Sequence, residues 1–218
     1  MFKRLSILFV GLALTAACSA RPAEDAAAKP AYTEGTEYVA TTTPGRLDPK
    51  DGKVEVVEVF SYGCVHCAHY EEYAEKLQKE LPKGVVFHAV PAAFNDAWLP
   101  YAQAYYAAQA LKVPPAAHAA LFKAIHMDHY PLRTIEELAG WYKQNYGVDT
   151  QKFIQLATQD DGIRKRILAD GKLIQGWGID GTPTIVVDGK YRSNSIKSFD
   201  ELNGVAKYLV DKELKGGK

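Results

Sequence analysis

The sequence has very little cysteine: three residues in 218, at positions 18, 64 and 67. That scarcity excludes a small scaffold held by a disulfide framework. It has no net charge either, since 26 basic side chains meet 26 acidic ones. With no long basic run, a general nucleic-acid binder is excluded. Beyond residue 20 no apolar run approaches the ~20 residues that cross a bilayer as a helix. What is present is ordinary globular composition, 47% hydrophobic and 24% charged. That suits one large domain, or one domain carrying an insertion. The odd cysteine count is the feature to explain.

Residues 1–20 account for one cysteine. Lys3 and Arg4 give a basic start, Leu5 to Leu14 is apolar but for Ser6, and Thr15-Ala16-Ala17-Cys18-Ser19-Ala20 is a small-residue exit. This is the layout of a signal peptide, with an apolar core too short for a standard membrane span. Leu14-Thr15-Ala16-Ala17-Cys18 resembles a bacterial lipobox with its leucine one position too far from the cysteine. Cys18 is therefore either a lipidation site or removed with the leader, and an exported mature chain is expected. Without residues 1–20 the chain carries 24 basic and 26 acidic side chains, a net of −2.

Residues 21–36, rich in Ala, Pro and Glu without apolar periodicity, read as a linker. Tyr38 to Thr43 suits an edge strand. Lys53 to Phe60, with four valines and a phenylalanine in eight residues, reads as a central strand. A helix follows from Cys64, with Tyr70, Tyr73, Ala74, Leu77 and Leu81 at three- and four-residue steps before Pro82. Gly84 to Pro91 is a second strand. Strand, helix and strand within about 40 residues predict a right-handed crossover and a parallel pair. Between Asn95 and Trp177 the spacing is helical throughout, and Tyr101, Tyr105 and Tyr106 read as its core. Sheet returns at Pro183 to Asp188 and Lys190 to Arg192. A last helix follows, with Ser198 as candidate N-cap. The fold class is α/β: a sheet domain over 37–94 and 178–213, with a helical domain inserted at 95–177.

Cys64-Val65-His66-Cys67 sits where the central strand ends and a helix begins. The first helical turn offers unpaired N–H groups and a partial positive charge, both of which favour a thiolate at Cys64. His66 adds donors and, when protonated, positive charge. The two-residue spacing lets the sulfurs bridge. Cys64 reads as the exposed nucleophile and Cys67, one turn further in, as the shielded resolving thiol. Three other readings stand beside this one: a structural disulfide, half of a zinc site, and two reduced core thiols. Zinc lacks further ligands at the usual spacing, because His126 and His129 lie 59 positions and more downstream. On strand alternation Glu58 shares a face with Val54, Val56 and Phe60, as its only polar member. The other face (Glu55, Val57, Val59) is also largely apolar, so a solvent-facing Glu58 stays open.

Strand, CxxC, helix, strand and a late Thr-Pro before a strand resemble the thioredoxin fold. The leader, the histidine before the second cysteine and the long helical insertion make the chain similar to the DsbA family over roughly residues 37–213. Glu58-Val59-Phe60-Ser61-Tyr62-Gly63-Cys64-Val65-His66-Cys67 is the most specific stretch. The resemblance implies that Cys64 and Cys67 form the redox disulfide and that His66 is the family's histidine. It also implies that Gly181-Thr182-Pro183-Thr184 is a cis-proline loop, in which Thr182 and Pro183 lie beside the nucleophile. Glu58 then matches a buried acid that moves protons beneath the disulfide. Val65 departs from the proline common at its position. A one-unit change in thiol pKa there corresponds to only ~30 mV.

The implied activity is thiol:disulfide exchange: oxidation of newly exported, cysteine-containing proteins, with re-oxidation by a membrane partner of the DsbB type. No metal or organic cofactor is expected, and a monomer is. An isomerase or reductase on the same fold, and a non-enzymatic exported protein with a structural disulfide, are the alternative readings.

Overall fold

A computed structural model describes residues 31–216. Cys18, the leader and residues 21–30 lie outside the described residues. The expected core strand forms as β2 (Val54–Phe60) and the next as β3 (Val85–Pro91). They pair in parallel, with Glu58 opposite Ala89. The crossover between them is α1 (Val65–Glu80), which ends just before Pro82. On its other side β2 pairs antiparallel with β4 (Thr184–Val187), placing Glu58 opposite Ile185 and Val59 opposite Thr184.

β5 (Tyr191–Ser193) and β1 (Tyr38–Ala40) complete a five-stranded sheet in the order β1-β5-β4-β2-β3. β1 is shorter than the sequence suggests, although Thr41 N–H still donates to Lys190 O at 2.9 Å. Residues 31–36, the described end of the expected linker, carry local structure. Gly35 N–H donates to Tyr38 O at 2.8 Å, and the Tyr32 ring meets Tyr208 edge-on.

β2 is covered on both faces, which explains its near-continuous apolar sequence. On one side Val56 packs with Ile185 and Val187 against α1 and α7 (Phe199–Gly216), through Tyr70, Ala74, Leu77, Leu202, Val205 and Leu209. On the other, Val57, Val59 and Val186 pack against Ile174, Trp177 and Ile179.

Between β3 and β4 run α2 (Leu99–Ala110), α3 (Ala117–His126), α4 (Ile135–Tyr146), α5 (Thr150–Gln159) and α6 (Asp161–Gly176). Their ends are set locally. Thr134 and Glu137 form a capping box at α4, and Asp149 and Asp160 cap α5 and α6. Gly147 closes α4 at φ +68°, a conformation glycine adopts without strain. Ser198 accepts from Glu201 N–H at 3.1 Å, as its expected capping role requires. Tyr101 and Tyr106 are buried in the core of these helices, which also takes in Phe60, Tyr62, Cys64 and Cys67 from the sheet side. The helices and the end of β2 thus share one apolar cluster, and the CxxC turn lies within it.

Candidate active site

The turn Ser61-Tyr62-Gly63 carries the chain from β2 into α1. Cys64 is the N-cap of that helix, and its Sγ accepts from Cys67 N–H at 3.3 Å. Cys64 also donates to Thr182 O at 3.3 Å, across 118 residues of sequence. The Thr182–Pro183 bond is cis and immediately precedes β4. The β2–β4 register therefore brings the Thr-Pro loop alongside the CxxC turn.

The two sulfurs, both free thiols here, are treated oppositely. Cys64 is held down to about 5. The Cys67 thiol contributes most; donation from Thr182 and from the Cys67 and His66 backbone N–H groups adds to it against the opposing effect of burial. The Cys64–Thr182 O bond favours the thiol, because a carbonyl only accepts. The Thr182 hydroxyl is the group on that residue that can donate to the thiolate, and it is buried without a hydrogen-bond partner of its own. Cys67 is pushed far up, first by burial and then by the neighbouring Cys64. Cys64 is thus a thiolate at neutral pH, while Cys67 keeps its proton.

One expectation needs correction. Cys64 is not openly exposed: it is 8% accessible against 0% for Cys67. It belongs to the cluster that holds Tyr62 and Tyr101, and the Thr-Pro loop closes on it from the sheet. The accessible surface beside it belongs to Val65 and His66, both exposed. The imidazole of His66 therefore faces water, and what reaches Cys64 from this residue is its backbone N–H.

Glu58 is 1% exposed, and its Oε1 has no hydrogen-bond partner. Burial first, then Glu71 and Cys64, raise its pKa well above the carboxylate range. Only when ionised does it add to the rise of Cys67. Three further residues escaped the sequence reading. His118, on α3, lies 2.7 Å through Nδ1 from the Tyr62 hydroxyl and 3.4 Å through Nε2 from Glu71 on α1. His126 Nε2 meets Tyr62 O at 2.7 Å, tying α3 to the CxxC turn. Glu71 alone carried a signal, because it stands four residues after Cys67 and so on the same helix face. The histidines reach the turn across 56 and 64 residues, which no local pattern reveals. Among the described residues no three His, Cys, Asp or Glu side chains gather as a metal-binding set.

Comparison with known proteins agrees with this geometry. A thioredoxin family model matches residues 48–205. The thiol:disulfide interchange protein DsbA of Pseudomonas aeruginosa is 36% identical over 86% of this chain and 88% of its own length. The DsbA of Burkholderia cepacia is 34% identical over 98% of this chain and all of its own. The chain belongs to the DsbA family.

DsbA crystal structures superpose accordingly. That of P. aeruginosa DsbA has a TM-score of 0.78 at 35% identity, covering 85% of this chain and 96% of that one. The structure of Xylella fastidiosa DsbA also gives 0.78, at 35% identity, over 83% and 97%. The fold is the thioredoxin-like α/β fold of the family, and the activity is that of a thiol:disulfide oxidoreductase. Val65 stands where the resemblance to the DsbA family leads one to expect proline. Val65 is the first residue of α1, and the donors that reach Cys64 come from the two residues after it.

Proposed function

We propose that the protein donates a Cys64–Cys67 disulfide to cysteine-containing proteins arriving in the periplasm. The observation that carries this reading is the opposite treatment of the two sulfurs: a thiolate at Cys64 and a protonated thiol at Cys67. A substrate thiolate attacks Cys64 Sγ. The Cys64–Cys67 bond breaks, a mixed disulfide forms, and Cys67 leaves with the electron pair and takes up a proton. A second substrate thiolate then attacks the substrate sulfur of the mixed disulfide and expels Cys64 as thiolate. The substrate has lost two electrons and two protons. The enzyme holds both electrons and one proton, on Cys67, and the other proton goes to solvent.

Stabilising Cys64 as thiolate stabilises the reduced enzyme and so makes the disulfide oxidising. Glu58, kept protonated by burial, is placed to supply the Cys67 proton. Thr182, beside the nucleophile, offers its backbone to an extended substrate segment. Re-oxidation falls to a DsbB-type membrane partner. Export rests on residues 1–20, with lipidation at Cys18 as the alternative to its removal. The enzyme acts as a monomer, and the helices of 95–177 form a domain inserted into the sheet domain of 37–94 and 178–213.

The test is oxidation of a reduced, multi-cysteine substrate by the purified protein, together with its reduction potential. The expected potential lies well above the ~−270 mV of thioredoxin. A value at ~−270 mV, with rapid insulin reduction, would make the protein a reductase instead.

A further inference from the structure

The backbone of Thr182, 3.3 Å from Cys64 Sγ, is suspended between two supports. One is β4, fixed by its register with β2 and tied to the loop where the Thr184 hydroxyl donates to Gly181 O at 2.8 Å. The other is the end of α6, five residues before Thr182. Between them the chain has no helix or strand of its own and contains Gly178 and Gly181. Glycine loses the most conformational freedom on ordering, so this loop has little rigidity to contribute. Where Thr182 sits over Cys64 therefore depends on how firmly the α6 end is held.

That end is held from both sides. Gly178 takes φ +72°, its N–H donates to Gln175 O at 3.0 Å, and Ile179 N–H donates to Ile174 O at 3.1 Å. These bonds close the helix in a Schellman motif. Trp177, at the C-cap, is fully buried and packs with Val57, Val59 and Val186 of the sheet. Its indole N–H donates to Gly45 O at 2.8 Å, across 132 residues of sequence.

Residues 41–45 thus lie over the helix end as a strap. Thr43 N–H donates at 2.6 Å to Gly176 O, one of the carbonyls that the helix leaves unpaired. The strap is fastened to the β4–β5 turn, where the Thr41 hydroxyl and Gly45 N–H both reach Gly189 O, at 2.8 and 3.3 Å. The fit is close. A Cβ on Gly178 would lie 2.9 Å from Thr42 Oγ1, and one on Gly189 would run into Gly45 O.

We propose that Trp177 is a positioning residue for substrate: held by Gly45 O, its indole fixes the end of α6 and so keeps Thr182 where its backbone meets an extended substrate segment. This rests on the pairing role given to Thr182 above. Trp177 acts through the loop, not on the sulfurs. A displacement of ~1 Å at the pairing edge is enough to carry an N–H beyond the ~3.2 Å limit of a good hydrogen bond.

The experiment is single-turnover reduction of the oxidised protein by a reduced dithiol peptide, with the rate measured against peptide concentration. Dithiothreitol is the comparison reagent, because it attacks Cys64 without a backbone to pair. Trp177→Phe keeps an aromatic ring in place and removes the N–H. It should raise the half-saturating peptide concentration about fivefold, as loss of one substrate hydrogen bond would. The limiting rate and the dithiothreitol rate should stay within about twofold of the wild type, since neither depends on that bond. Gly45→Ala approaches the clamp from the strap: its Cβ would stand 3.0 Å from Leu173 Cδ2, so the strap shifts and takes Gly45 O with it. The same split between peptide and dithiothreitol is expected there, at about twofold. A peptide methylated on the backbone nitrogens of its attacking cysteine and both neighbours completes the set, and the wild type should bind it about tenfold more weakly.

Unchanged half-saturation in both variants, beside a wild type that rejects the methylated peptide, would overturn the role of Trp177 and leave the pairing at Thr182 standing. A wild type that takes both peptides alike would overturn the pairing itself. Equal losses with peptide and with dithiothreitol would make the indole a support of the whole site, which also overturns the proposal.

Discussion

Strand β2 carries two glutamates three residues apart, both withdrawn from solvent, on opposite faces of the sheet and in opposite surroundings. Glu55 accepts from Leu47 N–H at 2.9 Å and Asp48 N–H at 2.6 Å, with the Arg46 guanidinium 3.6 Å away. Glu58 has an oxygen with no partner and sits below two thiols. The same contrast recurs between the cysteines. Cys64 receives the Cys67 thiol first and then backbone N–H groups, whereas Cys67 receives burial and a neighbouring anion. The supply of donors, more than depth, decides which buried acid carries charge and which holds a proton.

The contrast is open to attack, most strongly at Glu55. Glu55→Ala removes the acceptor of the Leu47 and Asp48 N–H groups and frees the backbone of the Gly45–Lys53 loop, while Arg46 keeps Asp51 and Asp188. A buried donor left without its acceptor typically costs about 1–3 kcal/mol. Chemical denaturation should show a loss of that size, while the rate of disulfide exchange at the folded site stays at the wild-type value. A loss below ~1 kcal/mol would mean that Glu55 is not the fastening group.

Glu58 should behave in the reverse sense. Its folded pKa is raised, so its folded state keeps a proton that the unfolded chain loses above ~4.3. Wild-type stability, measured on the oxidised form, should therefore fall relative to Glu58→Gln as pH rises above ~4.3. The slope approaches about 1.4 kcal/mol per pH unit until the folded carboxyl itself ionises. Below pH 4 the difference should be constant. A pH-independent difference from 4 to 8 would show that Glu58 finds a donor after all.

The cysteine contrast gives a smaller signal. Cys64 is depressed, so the stability it confers on the reduced form is fully present above pH ~9 and is lost as pH falls through about 5. The melting temperature of the reduced protein minus that of the oxidised protein should grow between pH 5 and 9. Growth of at least about 2–4 °C is expected, the shift that ~1 kcal/mol produces in a chain of this size. A gap that shrinks with pH would contradict a stabilised thiolate.

Much of this arrangement is legible in the sequence because it is local. The valines of β2, the cysteine pair at the strand-to-helix turn, the cap Ser198 and the Thr-Pro before β4 each sit within a few residues of what they shape. Glu58 could be placed on a face but not assigned burial, because both faces of β2 are apolar and only the tertiary cover on each decides. Glu55 was lost for the same reason, its donors coming from a loop that carries no periodicity. His118 and His126 carry no local signal, because their partner Tyr62 lies 56 and 64 residues away in sequence. The expected exposure of Cys64 failed because the loop at Thr182, 118 residues away, closes over it.

Val65 gives the smallest effect and the sharpest check on the donor argument. The departure from proline at this position would matter if the residue-65 N–H helped to hold the thiolate. The backbone groups that lower Cys64 are those of Cys67 and His66. As first residue of α1, position 65 also has no intrahelical hydrogen bond to lose, and proline is well suited to such a site. Val65→Pro should therefore leave the Cys64 pKa within about one unit and the potential within ~30 mV of the wild type. Equilibration with glutathione buffers measures this directly. A shift of ~100 mV would mean that the residue-65 N–H, or the exposed valine side chain, acts on the thiolate, and the donor set would have to be redrawn around it.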